Sequence, residues 1–227
     1  MNSEKKTQQL FDVLVEKATL KQVVYQNTLS TLNILKKSMR ELTDKYDKLD
    51  SEKSKKIPFV FKDKGEFEAE LRFAGDTLVY MMHTNVFELP RGHEVMKTPY
   101  VIEDKNRSFC GIINIFNFLS DSFKYNRMND VGYLIGRIFV NKDMHYFIEG
   151  KREIGFLYSN FGTTEMNQEN ACEIVESSIQ YTINFDLLTP PYEQVKEVTV
   201  QEFQTVMDSM QLKTGKRLGF RFQADSE

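Results

Sequence analysis

Asp130, Glu149 and Lys151 are the residues whose types and spacing could do chemistry together. Glu149-Gly150-Lys151 lies in "MHYFIEGKREIGF", residues 144–156, whose alternation reads as a β-strand. An Asp–Glu pair can hold a divalent metal that activates water, while a neighbouring Lys offsets charge building on a phosphate. Asp130 precedes Glu149 by 19 residues. The chemistry would be that of a metal-dependent nuclease or another phosphoester hydrolase.

Strand register tests that idea. With a turn at Asn141-Lys142-Asp143 and Val140 opposite Met144, Leu134, Gly136, Ile138 and Val140 share a face with Met144, Tyr146, Ile148 and Gly150. Glu149 then falls opposite Ile135, with Arg137 diagonal to it. Asp130 sits five residues further along, about 16 Å at ~3.3 Å per residue. Two ligands of one metal cannot be so far apart without a bulge or a sharp bend. The alternation instead predicts a strand with a wet face (His145, Phe147, Glu149, Lys151, Glu153) and Arg137 as the ion-pair partner of Glu149.

Other reaction classes lack their residues. The chain has three histidines, His83, His93 and His145, with no GxSxG around a serine. "EGKRE" and "TGKRLG" lack the second glycine and the Ser/Thr of a phosphate-binding loop, and GxGxxG is missing. Cys110 and Cys172 form no CxxC pair, and no short spacing gathers metal ligands. No cofactor and no metal are expected, and the chain reads as a non-enzyme. The candidate ligand-binding groups sit on loops. In "SDSFKYNRMND", residues 120–130, Lys124 and Arg127 could meet an anion and Tyr125 could stack on a base. His83 and Asn85 end a strand where a pocket rim could form.

These groups need elements to position them. Residues 4–53 contain no Gly and no Pro and are rich in Leu, Lys, Glu and Gln, which predicts helix. The 3-4-3-4-3 spacing of Leu32, Leu35, Met39, Leu42, Tyr46 and Leu49 predicts a coiled-coil seam between chains. Backward the seam runs Phe11, Leu14, Ala18, Lys21, Tyr25, Thr28, beside a second stripe of Leu10, Val13 and Val24. One long helix fits this pattern, as does a hairpin bending near "YQNTLST" with Ser30 as a cap. Residues 1–56 carry 12 Lys+Arg against 8 Asp+Glu, and the remainder 18 against 25. A basic arm that meets nucleic acid or an acidic partner is therefore a further reading.

After residue 56 the texture becomes β. Short apolar runs at 59–61, 67–73, 77–84, 99–103, 108–116, 133–140, 144–151 and 154–160 are separated by turn signals, among them a tight hairpin at Ala74-Gly75-Asp76 with Gly75 at positive φ. A helix follows from Asn167, with Ala171, Val175, Ile179 and Ile183 on one face. A second is expected after the capping box Thr199-x-x-Glu202, with Phe203, Val206, Met207 and Met210 aligned, and then a last strand at 217–223. Strands first and helices later predict an α+β fold with a mainly antiparallel sheet in 57–227, behind a helical segment in 1–56. No apolar run reaches the ~18–20 residues of a membrane span, and no signal-peptide pattern opens the chain. The expectation is a cytoplasmic binding or regulatory module. It self-associates, most simply as a dimer, through its N-terminal helix, and its α+β domain binds a ligand or a protein.

Overall fold

A computed structural model describes residues 2–49, 52, 56–128, 130–150, 160–186, 189 and 191–201. Lys151, residues 154–159 of an expected strand, the body of the helix expected after Thr199 and the strand expected at 217–223 lie outside them. No described helix is long and apolar enough to cross a membrane.

The chain opens with α1, Asn2–Asp47, one unbroken helix of 46 residues. At ~1.5 Å per residue it is about 69 Å long. No bend interrupts "YQNTLST", so the hairpin alternative falls: Ser30 is exposed inside the helix. Strands β1 (Phe59–Asp63), β2 (Glu68–Phe73) and β3 (Asp76–Met82) form a meander, β4 (Phe87–Glu88) is a short pair, and β5 (Phe109–Leu119) is the long central strand. After α3 (Ser120–Lys124) come β6 (Tyr133–Val140) and β7 (Tyr146–Gly150). The sheet is antiparallel in the order β1-β2-β3-β5-β6-β7, and β4 pairs with the first residues of β5. Helix α4, Gln168–Ile183, is capped by the Asn167 side chain, and α5, Tyr192–Val195, is a single turn. The α+β architecture expected from the sequence is the one found.

Period-2 alternation sorts the strands into two faces. Ala69, Leu71, Phe73, Leu78, Tyr80, Met82, Ile113, Ile115, Ile138, Val140, Tyr146 and Ile148 point inward. Against them lie Leu32, Leu35 and Met39 of α1 and Ala171, Ile174 and Val175 of α4. The helix comes close: a Cβ built on Gly111 of β5 would lie 2.0 Å from Thr28 Oγ1. On the other face, the segment 89–108 covers β5–β7 over a smaller core of Leu89, Val95, Val101, Cys110, Phe139, Phe147 and Phe161.

Four local expectations need correction. "PYVIE", 99–103, is not a strand but the short helix α2, because Thr98 caps it and Pro99 suits the first turn. The β6–β7 register lies two residues from the expected one, pairing Val140 with Tyr146 and Arg137 with Glu149. The reason is Asn141, fully buried, whose Oδ1 accepts from the backbone N–H groups of Asp143 (2.9 Å) and His145 (3.1 Å) and closes a longer loop. A register shift opposite Ile115/Phe116 turns Leu134 outward to 42 % exposure, away from the face it was expected to share with Ile138. In the β2–β3 hairpin, positive φ (47°) falls on Ala74 and not on Gly75.

Two outcomes follow. Gly111→Ala drives a methyl into Thr28 and should destabilise by about 1–3 kcal/mol in denaturant titration. Ala74→Gly relieves a left-handed alanine and should stabilise by about 1 kcal/mol in the same assay.

Candidate functional site

Glu149 is half-exposed on the outer face of β7, directly opposite Arg137 on β6. Arg137 Nη2 donates to Glu149 Oε2, and His93 Nε2 lies 2.8 Å from Oε1. His93 Nδ1 accepts from the Val95 N–H (3.2 Å), so the proton of a neutral ring sits on Nε2 and points at the carboxylate. The ring also rests 5.6 Å from that of Phe147. Partial burial pushes the Glu149 pKa up, but hydrogen bonds from His93 and Arg137, with the Arg137 charge, outweigh it and leave the pKa lowered. One carboxylate oxygen thus fastens the 89–97 segment to the sheet through His93, and the other ties β7 to β6 through Arg137.

Asp130 is engaged elsewhere. Its Oδ2 accepts from Ser122 Oγ (2.7 Å) and lies 3.7 Å from Arg127 Nε. It precedes Arg137, the partner of Glu149, by seven residues of sequence. That is about 23 Å of extended chain at ~3.3 Å per residue. Each carboxylate thus has partners of its own, Asp130 with Ser122 and Arg127 and Glu149 with His93 and Arg137, and among the described residues no three His, Cys, Asp or Glu side chains form a metal-holding group.

The loop after α3 also differs from expectation. Arg127 is half-buried, with its side chain 8 % exposed, 3.6 Å from Asp121 and 3.7 Å from Asp130, so its guanidinium is engaged by two carboxylates. Lys124 sits 4.8 Å from the Tyr125 ring centroid, and both are exposed. With Phe123 and Met128 exposed beside them, the tip is aromatic and apolar more than cationic. At the strand end, His83 Nδ1 accepts from the Asn85 N–H (3.0 Å), and its ring meets Phe87 edge-on. Asn85 does line a cleft of about 540 Å³, between the β3–β4 loop and Lys21, Gln22, Tyr25 and Gln26 of α1.

The helical seam packs inside the chain. Leu32, Leu35 and Met39 are fully buried under their own sheet. Leu42 and Tyr46 are half-buried, Tyr46 5.0 Å from Phe59, and only Leu49 is exposed. The assignment of Leu32, Leu35 and Met39 to a contact between chains is therefore corrected. Heptad spacing marks apolar positions but does not say which surface covers them.

The first half of α1 is its exposed half. Residues 5–19 are exposed on every side of the helix, Leu20 is half-covered and Val24 is the first buried position. Leu10, Phe11, Val13, Leu14 and Val15 are 51–65 % exposed. Eighteen residues make about five turns at ~3.6 residues each. Leu14 therefore stands in line with Leu32, Leu10 with Thr28, and Val13 with Thr31. The face that α1 buries under its own domain continues toward the first turns of the helix, where Val13 and Lys17 border Glu88, Lys105, Asn106 and Phe109 across a cleft. A shallow groove of about 420 Å³ follows that face, lined by Leu10, Val13, Leu14, Lys17, Ala18 and Lys21. The second sequence stripe, Leu10 and Val13, was the signal for this surface.

Comparisons of the chain with protein-family models, curated proteins and solved structures find no match.

The Glu149 contact gives a pH test. A carboxylate with a depressed folded pKa contributes stability that is full above its unfolded pKa and lost as pH falls through the folded one. Glu149→Gln should destabilise by about 1 kcal/mol at pH 7, allowing for solvent screening. In urea titrations the gap to the unmodified protein should narrow as the pH drops below the ordinary glutamate value of 4.5.

Proposed function

We propose that the protein is a non-enzymatic binding and regulatory module that associates with a second copy of itself through the N-terminal arm of α1. The observation that carries this reading is the apolar face running in line from the buried half of the helix to Leu14, Val13 and Leu10. Exposed apolar surface of this continuity marks an interaction site. Two arms laid together would exclude water from both faces, as amphipathic helices do in grooves and coiled coils.

The α+β domain supplies a second surface, suited to a macromolecular partner. Its outer face over β1–β3 is uncovered by the 89–108 segment, and Val60 and Met81 stand 40 % and 38 % exposed there. Charge favours protein over nucleic acid as that partner. The arm mixes Lys5, Lys6, Lys17 and Lys21 with Glu4, Asp12 and Glu16, and Arg127, which would have extended a basic surface, lies against two aspartates.

Leu14→Glu places a charge at the centre of the arm's face without touching the core. In sedimentation of the full chain, the wild-type protein should dimerise and the variant's dissociation constant should rise at least 100-fold. A wild-type chain that stays monomeric at 100 µM, or a variant that dimerises as well, overturns the reading.

A further inference from the structure

A cleft opens at the root of the arm, between Lys21, Gln22, Tyr25 and Gln26 of α1 and the β3–β4 loop, with a volume of about 540 Å³. That lies within the roughly 300–1,000 Å³ of small-molecule sites. Both walls are held by bonds outside the cleft. On the helix side, Asn27 Nδ2 donates to the carbonyls of Asn141 (3.0 Å) and Lys142 (2.8 Å), and Thr28 comes close to Gly111. On the loop side, the His83 N–H donates to the Ile112 carbonyl (2.8 Å), the Asn85 N–H donates to His83 Nδ1 (3.0 Å), and Phe87 pairs with Cys110 of β5. The cleft is therefore formed before anything enters it.

Its lining has a definite chemistry. The polar groups are one cation, Lys21, three amides, Gln22, Gln26 and Asn85, and one hydroxyl, Thr84, with no carboxylate among the described residues. Among the described residues none of these five side chains has a hydrogen bond or ion pair within the protein. Elsewhere on α1 such side chains do find partners, Gln8 with Asp12, Lys36 with Asp63 and Lys37 with Glu41. Two rings complete the lining, Phe87 at 37 % exposure and the half-buried Tyr25. Glu88, the next residue along, borders the separate cleft that holds Lys105.

These groups suit three parts of one ligand. Lys21 brings a positive charge that no lining carboxylate offsets, which suits a phosphate. Side-chain amides donate and accept together, and so pair with the edge of a nucleobase. An aromatic ring offers a surface on which a base stacks. Lys21 and Gln26 are five residues apart on α1, about 7.5 Å along the axis at ~1.5 Å per residue. Charge and amide are thus spaced apart along the helix, as phosphate and base are spaced by a ribose. A wholly apolar ligand would strip water from five polar side chains and give them nothing in return.

We infer that this cleft binds a purine or pyrimidine nucleoside monophosphate, with the phosphate at Lys21, the base against Phe87 and its edge on the amides of Asn85 and Gln26. The site is separate from the arm-to-arm contact. A ligand there touches α1 and the β3–β4 loop at once and braces the root of the arm against the domain.

The test titrates the full chain with AMP, GMP, CMP and UMP by isothermal calorimetry, with the four nucleosides and inorganic phosphate as separate arms. At least one nucleotide should bind with a dissociation constant below about 1 mM, and its nucleoside about tenfold more weakly. Lys21→Met, at an exposed position, should weaken that nucleotide about tenfold, and Asn85→Ala about threefold. Lys37→Met, exposed on α1 outside the cleft, should leave the affinity unchanged. The inference is overturned if none of the four nucleotides binds below that limit, or if inorganic phosphate binds as tightly as the nucleotide. Equal losses in Lys37→Met and Lys21→Met, or an affinity untouched by Lys21→Met or by Asn85→Ala, overturn it as well.

Discussion

The packing of α1 against the inner face of the sheet is the contact on which the rest depends. Small polar side chains make it possible. Thr28 and Ser38 are buried at the interface, and each hydroxyl donates to the carbonyl four residues earlier, Val24 and Ile34, at 2.7 and 3.2 Å. With those two hydroxyls satisfied, the helix can approach Gly111 closely at Thr28. Leu32, Leu35 and Met39 then meet the inward residues of β2, β3, β5 and β6. Truncating one such side chain to alanine costs roughly 2–5 kcal/mol.

Directional bonds fix where along the sheet the helix lies. Asn27 Nδ2 donates to the carbonyls of Asn141 and Lys142, tying the helix to the β6–β7 loop. Lys36, almost fully buried, donates to Asp63 Oδ1 (2.7 Å) and to the Gly65 carbonyl at the β1–β2 turn. Gln168 Nε2, at the start of α4, donates to Ser38 Oγ (2.8 Å). Hydrophobic burial alone tolerates sliding, and these bonds do not. They aim the first half of α1 out of the domain.

Much of this was legible in the sequence, in proportion to how local the cause is. The absence of Gly and Pro marked α1, alternation marked most strands, and Asn167 marked the start of α4. The ion pair of Arg137 with Glu149 was legible because both residues belong to one hairpin. His93, the third member, was not, since 56 residues separate it from Glu149 and only the folded 89–108 segment brings it close. The register was missed because a buried asparagine side chain, invisible to apolar periodicity, lengthened the turn. Leu134 was misassigned because a bulge resets alternation. "PYVIE" has strand-like composition, and its cap decides otherwise. Least legible was the covering of the seam, because a 3-4 repeat looks the same whether the opposing surface is a sheet or another helix.

The continuity of α1 has a mechanical consequence. A helix is a stiff rod, and at Thr28 it bears closely on Gly111 of the sheet. Leu14 lies 14 residues to one side of Thr28 and Met39 lies 11 residues to the other, about 21 and 16 Å along the axis. The helix is thus a lever with its fulcrum at β5. Tilting it by 1 Å at Met39 swings Leu14 about 1.3 Å the other way on the same ~1.5 Å rise. Repacking deep in the core, beside α4, would therefore be felt as a displacement at the far tip of the arm.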